Sequence, residues 1–255
     1  MIRKLIKQLV RTFIPADSDL DFWIYMNYRW KPSKGSIEEA INKYSKKNQG
    51  LFFMQVGSND GRSGDPLYKF IRRDAWQGVL IEPVNYLFEQ LKENYRGLNT
   101  KGITFENAAI ANHNGYQDFY YFKEFVPDEN KPITLNQQGS FSKEHIDSVN
   151  ALFPEAEIAV KKVVCKTVAC VLSEHNISRL NLLHLDTEGY DFEIIKSIDF
   201  DAVRPDLILY EHIHLNEQDK VDCQNLLKSH QYQIFRPNEG YDTLAYLPKA
   251  VNLNQ

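Results

Sequence analysis

The sequence predicts an α/β fold built on a doubly wound, mostly parallel sheet of seven strands. Three observations carry that prediction. Strand-like and helix-like segments alternate from Leu51 onward, as in a chain of βαβ units. The run "LNLLHLD" (180–186) is nearly continuous in apolar residues, the mark of a central parallel strand covered on both faces. A glycine-rich turn, "GSNDG" (57–61), directly follows the first core strand, where sheets of this kind bind ligands.

The elements follow in order. Residues 2–14 place Ile2, Leu5, Ile6, Leu9, Val10, Phe13 and Ile14 at helical spacing, with Arg3, Lys4, Lys7 and Arg11 on the other face. That predicts an amphipathic helix docked on its own domain or on a second copy, or lying peripherally on a membrane. "DSDLDFWIYMNYRWKP" (17–32) is aromatic without a clear period and reads as a short helix or loop over the core. Ser36 caps a helix over 37–44, and Gly50 ends that segment. The expected organisation is therefore a helical extension, 1–49, and one domain, 50–255. Within the domain we expect strands at 51–56, 78–83, 103–110, 117–122 and 163–168. Helices are expected over 65–74, with Asp65 as N-cap and Pro66 at the first position, and over 84–95. Thr167 caps a further helix. After strand 180–186 come helix 190–198, strand 206–212, helix 217–230 and a closing hairpin within 232–248, whose strands place one antiparallel member near the sheet edge. Lys123 to Glu144 is long and irregular, a candidate lid over the site.

Composition narrows the function. The 255 residues are 43% hydrophobic, ample for one sizeable core, and the formal charge is −4, which gives no footprint for nucleic acid. A small-molecule or saccharide substrate is expected instead. Cys165, Cys170 and Cys223 form no C-x-x-C pair, so buried reduced thiols and a cytoplasmic setting are expected. No apolar stretch reaches the length of a transmembrane segment.

The glycine turn lacks the Lys-Ser/Thr of a P-loop, and Asn59 stands where the second glycine of G-x-G-x-x-G belongs. Glu82, 21 residues beyond Gly61, ends the second strand, where a carboxylate accepts both hydroxyls of a ribose. The pair argues for an adenosine-type cofactor. NAD and S-adenosylmethionine both satisfy it. Ser58, Asn59 and Asp60 crowd the turn with polar groups, and Asp60 repels a pyrophosphate, which favours the methionine-bearing cofactor.

"QVGSNDG", "VLIEP", "NAAIANHNG", "LLHLDTEGYDFEIIKSID" and "PDLILYEH", in this order, resemble the FkbM-type family of S-adenosylmethionine-dependent methyltransferases from about Leu51 to Leu247. "LDTEGYDFEII" is the most specific part. The resemblance implies a class I methyltransferase, Rossmann-like sheet, with Gly57, Ser58, Asn59, Asp60 and Gly61 around the methionine part, Glu82 and Pro83 at the ribose, and Asn107 and Ala108 near the adenine end. Gln55 stands where many class I enzymes carry an acid. O-methylation of a hydroxyl or carboxyl of a natural product or saccharide is the implied activity. An NAD-linked oxidoreductase and a non-catalytic cofactor-binding scaffold are the rivals.

His184 and Asp186 are two apart in one strand and share a face, with Asp186 at the tip beside the cofactor's sulfonium. Glu188 follows in the turn. "YEHIHL" brings Glu211, His212 and His214 to the same cleft edge, the two histidines on one face, either as general base or orienting the substrate. No resident metal is expected, although Asp186 with Glu211 or a histidine could hold Mg²⁺. Ser140 and Phe141, in the long insertion, are expected to fold over the cofactor and exclude water.

Overall fold

The computed structural model describes residues 18–98, 101–126, 132–237 and 240–251; the helix expected over 2–14 lies outside them. A seven-stranded sheet forms the centre: β1 (Phe52–Val56), β2 (Gln77–Ile81), β3 (Ile103–Glu106), β8 (Leu182–Leu185), β9 (Leu207–Glu211), β10 (Gln233–Phe235) and β11 (Asp242–Tyr246), in the order β10-β11-β9-β8-β1-β2-β3. All neighbours are parallel except β11, which runs antiparallel between β9 and β10. The order reverses between β1 and β8, so the carboxyl ends of these two strands open the crevice at the switch point.

Side-chain alternation along the parallel strands divides the core into two layers. Met54, Val56, Val79 and Leu183 pack with Val171, Ile194 and Ile195 on one face. Phe53, Leu80 and Leu182 pack on the other with Ala40, Ile41, Phe70, Trp76 and Leu91. The helix Ile37–Lys47 therefore covers a sheet face; Ser36 caps it by accepting from the Glu39 N–H. Its Tyr44 hydroxyl donates to Asp206 Oδ2 (2.6 Å) and accepts from Asn181 Nδ2 (3.0 Å), and Asn181 Oδ1 accepts from the Phe52 N–H (2.9 Å). This buried network ties the helix to the amino ends of β1 and β9.

Several local expectations change. The segment 17–32 holds a helix, Asp19–Ile24, followed by a π-helical turn, Tyr25–Arg29. The helix expected from Asp65 begins at Tyr68; Asp65 Oδ1 accepts from the Leu67 and Tyr68 N–H groups, so it still satisfies the orphan donors from one step further out. The single strand expected over 103–110 is two, because the chain leaves the main sheet at Asn107 and resumes as β4 (Ala109–Ile110) in a second sheet. That sheet, in the order β4-β7-β5-β6, contains β5 (Gly115–Phe122), β6 (Gly139–Ser140) and the nine-residue β7 (Ile158–Lys166), of which only the end was expected. The insertion read as irregular contains a helical turn, Ile133–Asn136, and β6, and leads into the helix Lys143–Asn150 capped by Ser142.

Candidate active site

Gly57 takes φ +74, and a Cβ there would lie 1.8 Å from the Asp186 carbonyl oxygen. The end of β1 can thus touch the end of β8 only because residue 57 has no side chain. Ser58 stitches the turn: its hydroxyl donates to Gln55 O and accepts from the Ile81 N–H, each at 3.1 Å. Asn59, at φ +50, donates its N–H to Glu82 Oε2 (2.9 Å), while the Val84 N–H reaches Glu82 Oε1 (2.8 Å). Burial pushes the Glu82 carboxyl up to about 7 despite these two donors.

Between these strand ends and the second sheet lies a partly open pocket lined by Val56, Gly57, Asn59, Glu82, Pro83, Val84, Leu87, Ala109, Ile110, Phe119, Gln137, Gly139, Phe141, Asp186 and Thr187. Its lining joins the polar side chains of Asn59, Glu82, Asp186, Gln137 and Thr187 to one apolar cluster, Val84, Leu87, Ala109, Phe119 and Phe141. Phe141 stands edge-on between Phe119 (5.3 Å) and Tyr190 (4.9 Å). The insertion forms the roof: Gln137 Nε2 donates to Ser63 O (2.9 Å), Gln138 Nε2 to Glu188 Oε1 (2.6 Å), and the Ser140 hydroxyl to Glu188 O (3.1 Å).

Of the cofactor residues named from the sequence, Gly57, Asn59, Glu82, Pro83 and Asp186 meet at this pocket, and Phe141 joins them. Ser58 and Gly61 shape the turn from behind. Asp60 is absorbed within its own loop, accepting from the Arg62 and Ser63 N–H groups. Asn107 turns its amide onto Glu82 O (2.8 Å) and Pro83 O (3.3 Å), bracing the end of β2, and Ala108 is buried away from the wall; Ala109 and Ile110 line it instead. Sequence reasoning missed Gln137, Gly139 and Phe119. The pairing of Tyr121 with Gly139 brings the insertion over the pocket, a tertiary contact that no local sequence pattern marks.

The acids and histidines gather beside Asp186. Donor oxygens of Asp186, Glu188 and Glu211 all lie within 4.8 Å of one another, and so do donor atoms of His145, Glu188 and His214. His214 Nε2 is 3.0 Å from Glu188 Oε2 and 3.8 Å from Glu211 Oε1. Burial, and then the Glu188 charge, raises the Asp186 carboxyl well above the usual range. Burial, followed by Asp186 and Glu188, pushes Glu211 up to about 10. Burial alone would raise Glu188 too, but the His145 and His214 imidazoles outweigh it and hold this carboxyl low. His212 and His214 do not share a face. The strand ends at Glu211, so His212 turns inward, where its Nδ1 meets the Thr243 hydroxyl at 3.1 Å, while His214 comes off the following turn toward Glu188. His184 is buried inside β8, where desolvation lowers it to about 4.

A seven-stranded sheet of this order, with one antiparallel strand and a glycine turn at the switch point, defines a class I methyltransferase fold. The sequence model of the FkbM methyltransferase domain matches residues 55–242, and the chain belongs to that family. Among solved structures it is similar to a precorrin-6y C5,15-methyltransferase from Geobacter metallireducens GS-15, at 10% identity and a TM-score of 0.43 over 86% of this chain and 93% of that one. It is also similar to a METTL16 MTase domain, at 11% identity and a TM-score of 0.43 over 81% of this chain and 64% of that one. No curated protein matches it. Among the described residues, no helix is long and apolar enough to cross a membrane.

Proposed function

We propose that the protein is an S-adenosylmethionine-dependent methyltransferase that methylates an oxygen of a small molecule or saccharide. The observation that carries this reading is the Glu82 carboxylate on the wall of a pocket that joins polar side chains to one apolar cluster, Val84, Leu87, Ala109, Phe119 and Phe141. An adenosine-type cofactor needs this combination: an acceptor for ribose hydroxyls, apolar contacts for the base and polar loop groups for the amino-acid part.

The cofactor, when bound, supplies an activated methyl group on a sulfonium, so the protein's task is chiefly alignment. Glu82 holds the ribose, and Asn59, through its N–H to Glu82, fixes the carboxylate that does so. Val84, Leu87, Ala109 and Phe141 take the base and exclude water. Asp186, at the junction of pocket and carboxylate cluster, orients the acceptor hydroxyl. Gln137 and Gln138 hold the insertion shut over both.

Titration calorimetry with S-adenosylhomocysteine tests the assignment without an acceptor in hand. The parent protein should bind, and Glu82→Ala should weaken binding by roughly 10- to 1,000-fold, the loss of one or two charge-assisted hydrogen bonds, with an unchanged circular dichroism spectrum. Equal affinity in the two proteins sinks the ribose assignment. Binding of NAD in place of S-adenosylhomocysteine would transfer the reading to the oxidoreductase rival.

A further inference from the structure

Among the described residues, two carboxylate oxygens beside the pocket accept no aligned hydrogen bond although neither reaches solvent: Glu188 Oε2, which has only the charge contacts of His214 Nε2 (3.0 Å) and His145 Nε2 (3.4 Å), and Glu211 Oε2. Glu188 is only 8% exposed. An orphaned, buried carboxylate oxygen is costly, and here two lie in one cluster with Asp186. His214 Nε2, 3.0 Å from Glu188 Oε2, is near enough for a charge contact but not lined up to donate to it. Glu188 moreover sits at φ +53, a left-handed backbone that a residue with a Cβ adopts at a cost and that surrounding structure must enforce. Gln138 and Ser140 do so, gripping its Oε1 and its carbonyl and leaving Oε2 to the His145 and His214 imidazoles, in a carboxylate whose neighbours are Asp186 and Glu211.

We propose that Asp186, Glu188 and Glu211, with His214 on the open side, hold a divalent cation of the Mn²⁺ class. Ligands that share one cation at about 2.1 Å stand roughly 3.0–3.4 Å apart, and His214 Nε2 and Glu188 Oε2 already have that separation. Three carboxylates that otherwise repel one another become a favourable set around a +2 charge. The donor set, oxygen-rich with one imidazole nitrogen, suits Mn²⁺ better than the softer ions that thiolates select. The ligands come from the end of β8, the turn after it, the end of β9 and the turn that follows, so the folded sheet builds the site whether or not a ligand is bound next door. Because Asp186 also lines the pocket, a cation held here neighbours the acceptor hydroxyl, and this part of the inference rests on the methyltransferase reading.

The test uses the full chain stripped with chelator, titrated with Mn²⁺ and followed by the loss of the free-ion electron paramagnetic resonance signal. One saturable site per chain is expected, weakened at least ~10-fold by Glu211→Gln and by Glu188→Gln, a loss that even outer-shell changes commonly produce. The two variants guard each other: Glu211→Gln leaves the Glu188 turn untouched. S-adenosylhomocysteine affinity, measured on the same metal-free proteins, should stay within about 3-fold of the parent in Glu211→Gln, because Glu211 touches neither Glu82 nor the roof that Gln138 and Ser140 anchor on Glu188. No saturable binding of Mn²⁺, Mg²⁺ or Zn²⁺ up to about 1 mM, or Mn²⁺ binding indifferent to both substitutions, overturns the proposal. S-adenosylhomocysteine binding without Mn²⁺ binding refutes the cation alone, and the reverse result refutes the cofactor reading alone.

Discussion

Three glycines of the first loop provide a graded test of how the site is assembled. Gly57, Gly61 and Gly64 all have φ near +70, but a Cβ meets something different at each. At Gly64 it meets nothing within 4 Å. At Gly61 it approaches Leu91 Cδ1 at 2.2 Å and Tyr95 Cε2 at 2.8 Å, the ends of side chains that can shift. At Gly57 it strikes the Asp186 carbonyl oxygen at 1.8 Å and its carbon at 2.9 Å, which is backbone of the neighbouring strand. Left-handed strain costs alanine about 1–2 kcal/mol, partly offset by the ~0.4–1 kcal/mol gained from a less disordered unfolded chain. Gly64→Ala should therefore cost about 1 kcal/mol or less. Overpacking adds about 1–3 kcal/mol where neighbours can yield, so Gly61→Ala should cost about 2–3. Gly57→Ala must pry β1 from β8 and should exceed about 3 kcal/mol, a fall of roughly 6–12 °C in melting temperature for a chain of this size. Thermal melts of the three variants, with S-adenosylhomocysteine titrations of those still folded, give the ranking. If Gly57→Ala melts with Gly64→Ala and binds as the parent does, the contact between Gly57 and Asp186 does not organise the pocket, and the site as described is wrong.

Other outcomes follow from the same geometry. The Glu82 carboxyl, held near pH 7 by burial, must be ionised to accept two hydroxyls, so S-adenosylhomocysteine affinity should climb from pH 6 to 8 and level off, whereas Glu82→Gln should be flat in calorimetry across that range. Its effect on stability has the opposite slope: the folded-state value lies above the unfolded one, so the proton is held more tightly in the folded chain and this contribution fades as pH rises from about 4.5 through 7. Tyr44→Phe removes a hydroxyl shared by Asp206 and Asn181 and should cost about 1–3 kcal/mol in urea unfolding while leaving ligand affinity unchanged, since that network lies at the other end of the strands. Phe141→Ala should weaken S-adenosylhomocysteine about 10-fold by opening the apolar cluster of the pocket, with little change in melting temperature; an unchanged affinity would remove Phe141 from the wall.

What could be read in advance depended on where the determining forces lie along the chain. The central strands were legible because burial on both faces demands continuous apolar runs, as in residues 180–185, and the antiparallel insertion near the edge was legible from the closing hairpin. The second sheet was not. Lys161 and Lys162 interrupt β7, and β4 is two residues long; β7 forms by pairing with β5 over eight residues, from Gly115 with Cys165 to Phe122 with Ile158, and β4 by pairing with Cys165 and Lys166 of β7. Such pairing is tertiary and leaves only a weak pattern in either strand. The same division runs through the site. Gly57, Asn59, Glu82 and Asp186 sit at strand ends, where topology alone brings them together. Gln137, Gly139 and His145 reach the pocket and its acidic cluster only because the insertion is laid back across β5. The histidines show how one residue of strand decides a site: alternation would keep His212 and His214 on one face, but β9 stops at Glu211, whose N–H is taken by Asp191 Oδ1 at 3.1 Å. The chain turns there, sending His212 to Thr243 and His214 to Glu188. A carboxylate buried at the start of the preceding helix, Asp191–Lys196, thus takes the last strand N–H, and the turn that follows places an imidazole beside the three acids.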